Sequence, residues 1–186
     1  MADERLYNNP KPVTRFYVAS PLAFQDWQHP TAAELNANPT NDPNGLIYNL
    51  TCAMSQDDTT HDLGDSDTDD ALSFCQIAGA ANPTSYNPDI QWSFFRDANP
   101  WIVSDVDTES VANLAFSLFA WRGVEYFFIA SVGEAYDQPF AEGDRIKMVR
   151  AATDYLADVV GSGESVRATE TPLSRGDILW NYSLEA

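Results

Sequence analysis

Val124 to Ser131 (VEYFFIAS) is aromatic and apolar at both alternating sets of positions. A strand of that kind is central and covered on both faces, so the chain has to supply a layer on either side of it. Other segments have the patterns that could do so. Ile90, Trp92 and Phe94 alternate with Gln91 and Ser93, the period of a half-buried strand over Ile90 to Phe95. Asp144 to Ala152 follows a Gly143-Asp144 turn, with Ile146 and Met148 alternating with Arg145 and Lys147. Ile178 to Leu184 puts Ile178, Trp180, Tyr182 and Leu184 on one face. Val13 to Val18, Leu46 to Cys52 and Ser73 to Ala78 bring the expected strands to about seven, and Gly161-Ser162-Gly163 reads as a flexible turn.

One helix is expected, over about residues 108–121. Asp107 is its N-cap and Glu109 lies in its first turn. Val111, Leu114, Ala115, Leu118 and Phe119 form a single apolar stripe, and Gly123 follows as a C-terminal cap. Thr31 to Leu35 makes one further helical turn, capped by Thr31. Strands outnumber helices and do not alternate with them, which predicts a mainly β chain: a single-domain β-sandwich or partial barrel with one flanking helix. The domain spans 13–186 behind an N-terminal arm at 1–12. Its long loops are 21–45, broken by Pro21, Pro30, Pro39 and Pro43, and an acidic one at 56–70. Met1 to Val13 has no apolar core of a secretory signal. The most apolar run, Leu114 to Trp121, is cut off by Arg122 and Gly123, so a soluble, cytoplasmically made chain without a membrane partner is expected.

Charge narrows the function. Phe16 to Phe95 contains no lysine or arginine but eleven carboxylates, seven of them aspartates between Asp57 and Asp70. The whole chain has 10 basic and 28 acidic residues and a formal charge of -18. Such a field repels nucleic acid and anionic membranes. It suits a protein that stays soluble in strong salt, or one past which a polyanion slides without sticking. The only basic cluster is Arg145, Lys147 and Arg150. It reads either as the wet face of an edge strand or as a partner for a neighbouring copy's carboxylates.

Residues with chemistry to offer do not form a catalytic pattern. His29 and His61 fall in expected loops, and no nucleophile elbow, zinc motif or phosphate loop accompanies them. Cys52 and Cys75 sit in apolar surroundings and read as buried free thiols, with a disulfide left open. Asp65-x-Asp67-x-Asp69 copies the first ligands of a calcium loop. The copy fails at Asp70, where a glycine should turn the chain, and at Gln76, where a bidentate glutamate belongs. A solvated acidic loop accounts for it better, and no catalytic, cofactor or metal site is assigned. Asn49-Leu50-Thr51 and Asn181-Tyr182-Ser183 match the glycosylation pattern only as segments inside strands.

The order of several pieces carries a resemblance. They are the run from Asp65 to Gly79, Ser85-Tyr-Asn-Pro88, the strand end Phe95-Arg-Asp-Ala98 and the helix from Asp107. Phe140-Ala-Glu-Gly-Asp144, Thr153-Asp154 and the closing Asn181-Tyr182 continue it, over most of 13–184. This order resembles the major tail tube protein of long-tailed, siphovirus-type phages, closest to the tubes of actinobacteriophages. The resemblance implies a structural virion protein of the tail, assembled in the host cytoplasm, with no active site and no cofactor. It implies homohexameric rings stacked around a tape-measure protein and meeting tail-end proteins. Viral DNA then passes through an electronegative lumen without specific binding. Six copies would bring 6 × 18 = 108 formal negative charges to a ring, and with two lysines and 19 Asp against 9 Glu, high-salt adaptation would explain the surplus. Two rivals stand beside this reading. One is a secretion-apparatus tube protein; the other is a calcium-assisted carbohydrate-binding β-sandwich using Trp27, Trp92, Trp101 or Trp180 as a sugar platform.

Overall fold

The segment expected to be central is central. In a computed structural model, residues 14–38, 42, 45–56, 58–65, 68–69, 82–83, 86–96, 111–133, 137–159 and 166–186 are described. The strands in chain order are β1 (Thr14–Ala19), β2 (Ile47–Asn49), β3 (Thr60–Leu63), β4 (Thr68–Asp69), β5 (Asn82–Pro83) and β6 (Pro88–Phe95). They continue with β7 (Glu125–Val132), β8 (Arg145–Ala152), β9 (Ala157–Val159), β10 (Arg167–Glu170) and β11 (Leu173–Ser183). The helices are α1 (Ala32–Leu35) and α2 (Val111–Phe119). The chain is mainly β, and its strands pair antiparallel into a five-stranded sheet, β11-β8-β7-β1-β2, and a four-stranded sheet, β3-β6-β10-β9; β4 and β5 form a separate ladder. Neither sheet closes into a barrel.

Two apolar layers lie on opposite faces of the five-stranded sheet. On one face Val18, Phe128, Val149 and Ala151 meet Ile90, Trp92, Phe94 and Ala168 of the other sheet, with Ala115, Phe116 and Phe119 of α2. On the other face Tyr17, Ala19, Phe127, Ile129, Ile146 and Met148 are covered by Phe24, Ala32, Leu35 and Phe140. β7 contributes alternate residues to both layers, as its sequence requires. The covering layer on the second face comes mostly from 21–36, read above as a loop holding one helical turn at Thr31 to Leu35, and that turn is present. The layer contains a 3₁₀ turn at Pro21–Ala23 and α1. Thr31 and Glu34 make a reciprocal capping box at the start of α1, which is why so short a helix holds its place.

Several expectations need correction. The strand from Leu46 to Cys52 stops at Asn49. The Asn49 side chain accepts the Thr51 N–H, the chain turns, and Thr51–Ala53 is a 3₁₀ turn. Cys52 is therefore exposed rather than buried. The acidic segment 56–70 is not all loop, since β3 pairs along β6 from Thr60↔Gln91 to Leu63↔Pro88. Its inward residues are His61 and Leu63, and a histidine on the inner face hides the period of two. Ile178, Trp180, Tyr182 and Leu184 do not share a face. Asn181 adopts φ 54 and the β11–β8 register shifts between Leu179 and Tyr182, so the strand bulges and its faces exchange. Ile178 and Trp180 join the inter-sheet core, while Tyr182 and Leu184 join the other layer. Gly123, with φ 83, does not cap α2; it donates its N–H to the Thr153 carbonyl. The arm 1–12, the cap Asp107, the Ser73–Ala78 strand and the Gly161–Gly163 turn lie outside the described residues.

Candidate functional site

Opposite its apolar face, the open side of the four-stranded sheet is mostly polar, with Phe95 and Val159 exposed beside Arg167. Asp62 of β3 and Asp89 of β6 are directly opposed across the ladder, and both are exposed. Like charges in that position destabilise a sheet. This face carries Arg167 paired with Asp58, while Arg96 pairs with Asp158 at 3.1 Å on the side covered by α2, over the Phe116 ring.

Those two pairs belong to a pattern. Of the eight basic residues in the described parts, seven are in ion pairs within the chain. Arg15 is 1% exposed and ties β1 to the β7–β8 connection, donating to Asp144 at 3.0 Å, Ser131 Oγ and the Gln138 carbonyl while lying over the Phe140 ring. Arg122 pairs with Asp154 at 2.6 Å and Arg175 with Glu125 at 3.3 Å. The expected basic cluster is divided between the two faces of β8. Lys147 crosses to Asp62 at 3.6 Å and lies 4.5 Å from the Trp180 ring centre, bridging the two sheets. Arg150, on the opposite face, grips Glu125 at 2.6 Å and Asp177 at 3.0 Å, bonds that hold its guanidinium's pKa above the usual value. Arg145 alone has no ion pair among the described residues. Seven of the eight described cations are thus consumed internally, which leaves exposed acids such as Asp89, Asp137 and Glu142 without an ion pair among the described residues.

The histidines also move from their expected places. His61 is in strand β3, its ring parallel to Trp180 at 8° and 5.9 Å, and its Nδ1 accepts the Trp92 Nε1–H at 3.3 Å. Burial, with the Lys147 charge beside it, lowers its pKa to about 3, so the ring is neutral across ordinary pH. No nucleophile approaches it among the described residues. His29 bonds to Glu185 at 2.9 Å near the surface, and this bond lowers the Glu185 pKa. Glu170 is fully buried, accepts the Asp154 N–H, and is pushed up to about 7 by burial. Nothing in the sequence marked it, since alternation alone cannot tell a buried glutamate from a wet one.

The sugar-platform residues are committed to packing. Trp92 is wholly buried between the sheets, Trp180 is covered by His61 and Lys147, and Trp27 stacks on Phe127. Trp101, Cys75, Asp67, Asp70 and Gln76 lie outside the described residues. No group of three metal-binding side chains occurs among those described. No described helix is long and apolar enough to cross a membrane.

The sequence matches the profile of the phage tail tube proteins over residues 2–181, almost its full length. The chain belongs to the phage tail tube protein family. No curated protein matches it. Tail tube proteins are structural, so this one is a component of the phage tail that assembles with copies of itself into a tube. Its two-sheet, mainly β architecture is the one expected from the sequence.

Proposed function

We propose that this tail tube protein is the major tube subunit of a long-tailed phage, forming stacked hexameric rings whose acidic lumen conducts viral DNA. A tape-measure protein would fill the tube during assembly in the host cytoplasm, tail-end proteins would close it, and residues 1–12 would act as an arm outside the domain 13–186. The observation that carries the reading is the internal pairing of the cations. A DNA-holding surface needs lysines and arginines free to displace counterions from phosphate. Here seven of the eight described cations already hold carboxylates of their own chain. Phosphates passing an uncompensated carboxylate wall find nothing to bind, so DNA does not stall. The open face bearing Asp89 fits that wall: Asp89 is exposed, opposes a second acid, Asp62, and takes part in none of the chain's described ion pairs, whereas Asp62 is held by Lys147.

Negative-stain microscopy of the purified protein tests the assembly: rings or tubes of uniform width are expected, and a monodisperse monomer at all concentrations would sink the reading. Replacing Asp89 by Lys in phage particles tests the wall. Tubes should still form, with DNA ejection slowed; unchanged ejection would remove the electrostatic argument. The match to phage tubes favours this over a secretion-apparatus tube of the same architecture. The acid surplus further fits a host living in strong salt.

A further inference from the structure

Six of the ten exposed large apolar side chains lie toward one end of the five-stranded sheet instead of being scattered. Trp121 is 70% exposed, Tyr155 78%, Leu173 50% and Val124 36%, and Leu22 and Leu46 stand where β1 leaves and β2 begins at that end. Thr153 locks the first group together: its Oγ donates to the Trp121 carbonyl and accepts the Val124 N–H, and its own N–H donates to the Val124 carbonyl. Leu173 pairs with Ala152 beside it. Exposed apolar side chains grouped at one end of a protein this acidic mark a contact.

The charges at this end are neutralised. Arg122 sits on Asp154, Arg175 on Glu125 and Arg150 on Asp177, so two copies can approach here without the repulsion that a charge of -18 otherwise imposes. Arg122 and Arg175 remain 75% and 48% exposed, and each guanidinium has donors to spare. The opposite end of the same sheet is their complement. There the β7–β8 connection exposes Asp137 and Glu142, with Arg145 at the start of β8 as the accompanying cation.

We propose that the Trp121–Tyr155 end is the surface on which a second copy of this chain docks head-to-tail, presenting its Asp137–Glu142 end. This rests on the tail tube reading and names the surface through which the tube grows. Unlike ends meeting is a heterologous contact, which propagates instead of closing on itself. Tryptophan and tyrosine anchors at its centre would carry most of the association energy, with the arginine–carboxylate pairs at the rim setting direction.

The test compares the full chain with Trp121→Ser/Tyr155→Ser, Asp137→Lys/Glu142→Lys and a control, Tyr86→Ser, which is 71% exposed just ahead of β6 in the other sheet. Circular dichroism and thermal melting should show every variant folded. Sedimentation and microscopy should show the concentration needed for tube growth raised at least about tenfold in both double variants and unchanged in the control. An equal mixture of the two double variants should join in pairs of assembly units and stop there, since each keeps one intact end. Growth of either double variant as in wild type, or a mixture that does not associate, would overturn the docking surface while leaving the tail tube reading standing. Wild-type protein that never assembles would overturn both.

Discussion

Glu170 and His61 are the two residues whose burial most alters their chemistry, and they act in opposite directions on stability. The Glu170 carboxyl titrates at about 7 when folded, against 4.5 for the ordinary side chain. The folded state therefore holds a proton that the unfolded chain has lost, and stability contributed by Glu170 is full below pH 4.5 and declines as the pH rises to about 7. His61 titrates at about 3 against 6.5, so its contribution is present above pH 6.5 and is lost as the pH falls toward 3. Between about pH 4.5 and 6.5 the two slopes, each about 1.4 kcal/mol per pH unit, offset one another. Glu170→Gln removes one of them. Urea unfolding at pH 5, 6 and 7 should show wild type losing stability relative to the variant by about that slope at each step. A difference that stays constant would mean that Glu170 is already ionised in the fold. Neither residue was legible beforehand. Glu170 is one acid among 28, and His61 occupies an inner strand position normally read as apolar.

At the scale of elements, connections decided what strand patterns could not. β7 was evident from its continuous apolar run and β8 from its alternation, and the turn that leads into β8 depends on Gly143 at φ 91. An added Cβ there would touch nothing within 4 Å, so the cost of Gly143→Ala is backbone strain alone, about 1–2 kcal/mol. The unfolding midpoint should fall accordingly with the denaturant slope unchanged; an unaltered midpoint would mean that the turn relaxes to ordinary dihedrals. β11 shows the limit of periodicity. Its apolar residues at 178, 180, 182 and 184 obey strict alternation in sequence, yet Asn181 in the left-handed region divides them between two layers. β3 shows the converse, a real strand whose acidic surroundings masked it. The Thr31 cap was recognisable because it is local, and the structure adds the reciprocal bond from Glu34 within the same four residues.

Over the whole molecule, the charge of -18 governs how copies behave toward one another. The intrachain ion pairs do not lessen it, because they use cations already counted. Screening does, with a Debye length near 10 Å at 0.1 M salt and about 3 Å at 1 M. Thermal stability and tube growth should therefore both rise from about 0.05 M to 1 M sodium chloride, followed by scanning calorimetry and light scattering. Tubes that dissolve, or subunits that unfold, as salt is added would contradict a repulsion-limited assembly and with it adaptation to a salty host. Composition and local pattern by themselves determined the mainly β class, the buried β7, the strands around it, the helix α2 and the acid surplus, because each depends on neighbouring residues or on simple sums. Only the tertiary structure decided that seven of the eight described cations are spent internally, that Asp62 faces Asp89, and that most exposed large apolar side chains among the described residues gather at one end. Those facts arise from residues as far apart as Arg15 and Asp144, or Trp121 and Leu173, and pairing over such distances is set by strand order and register, which no local period encodes.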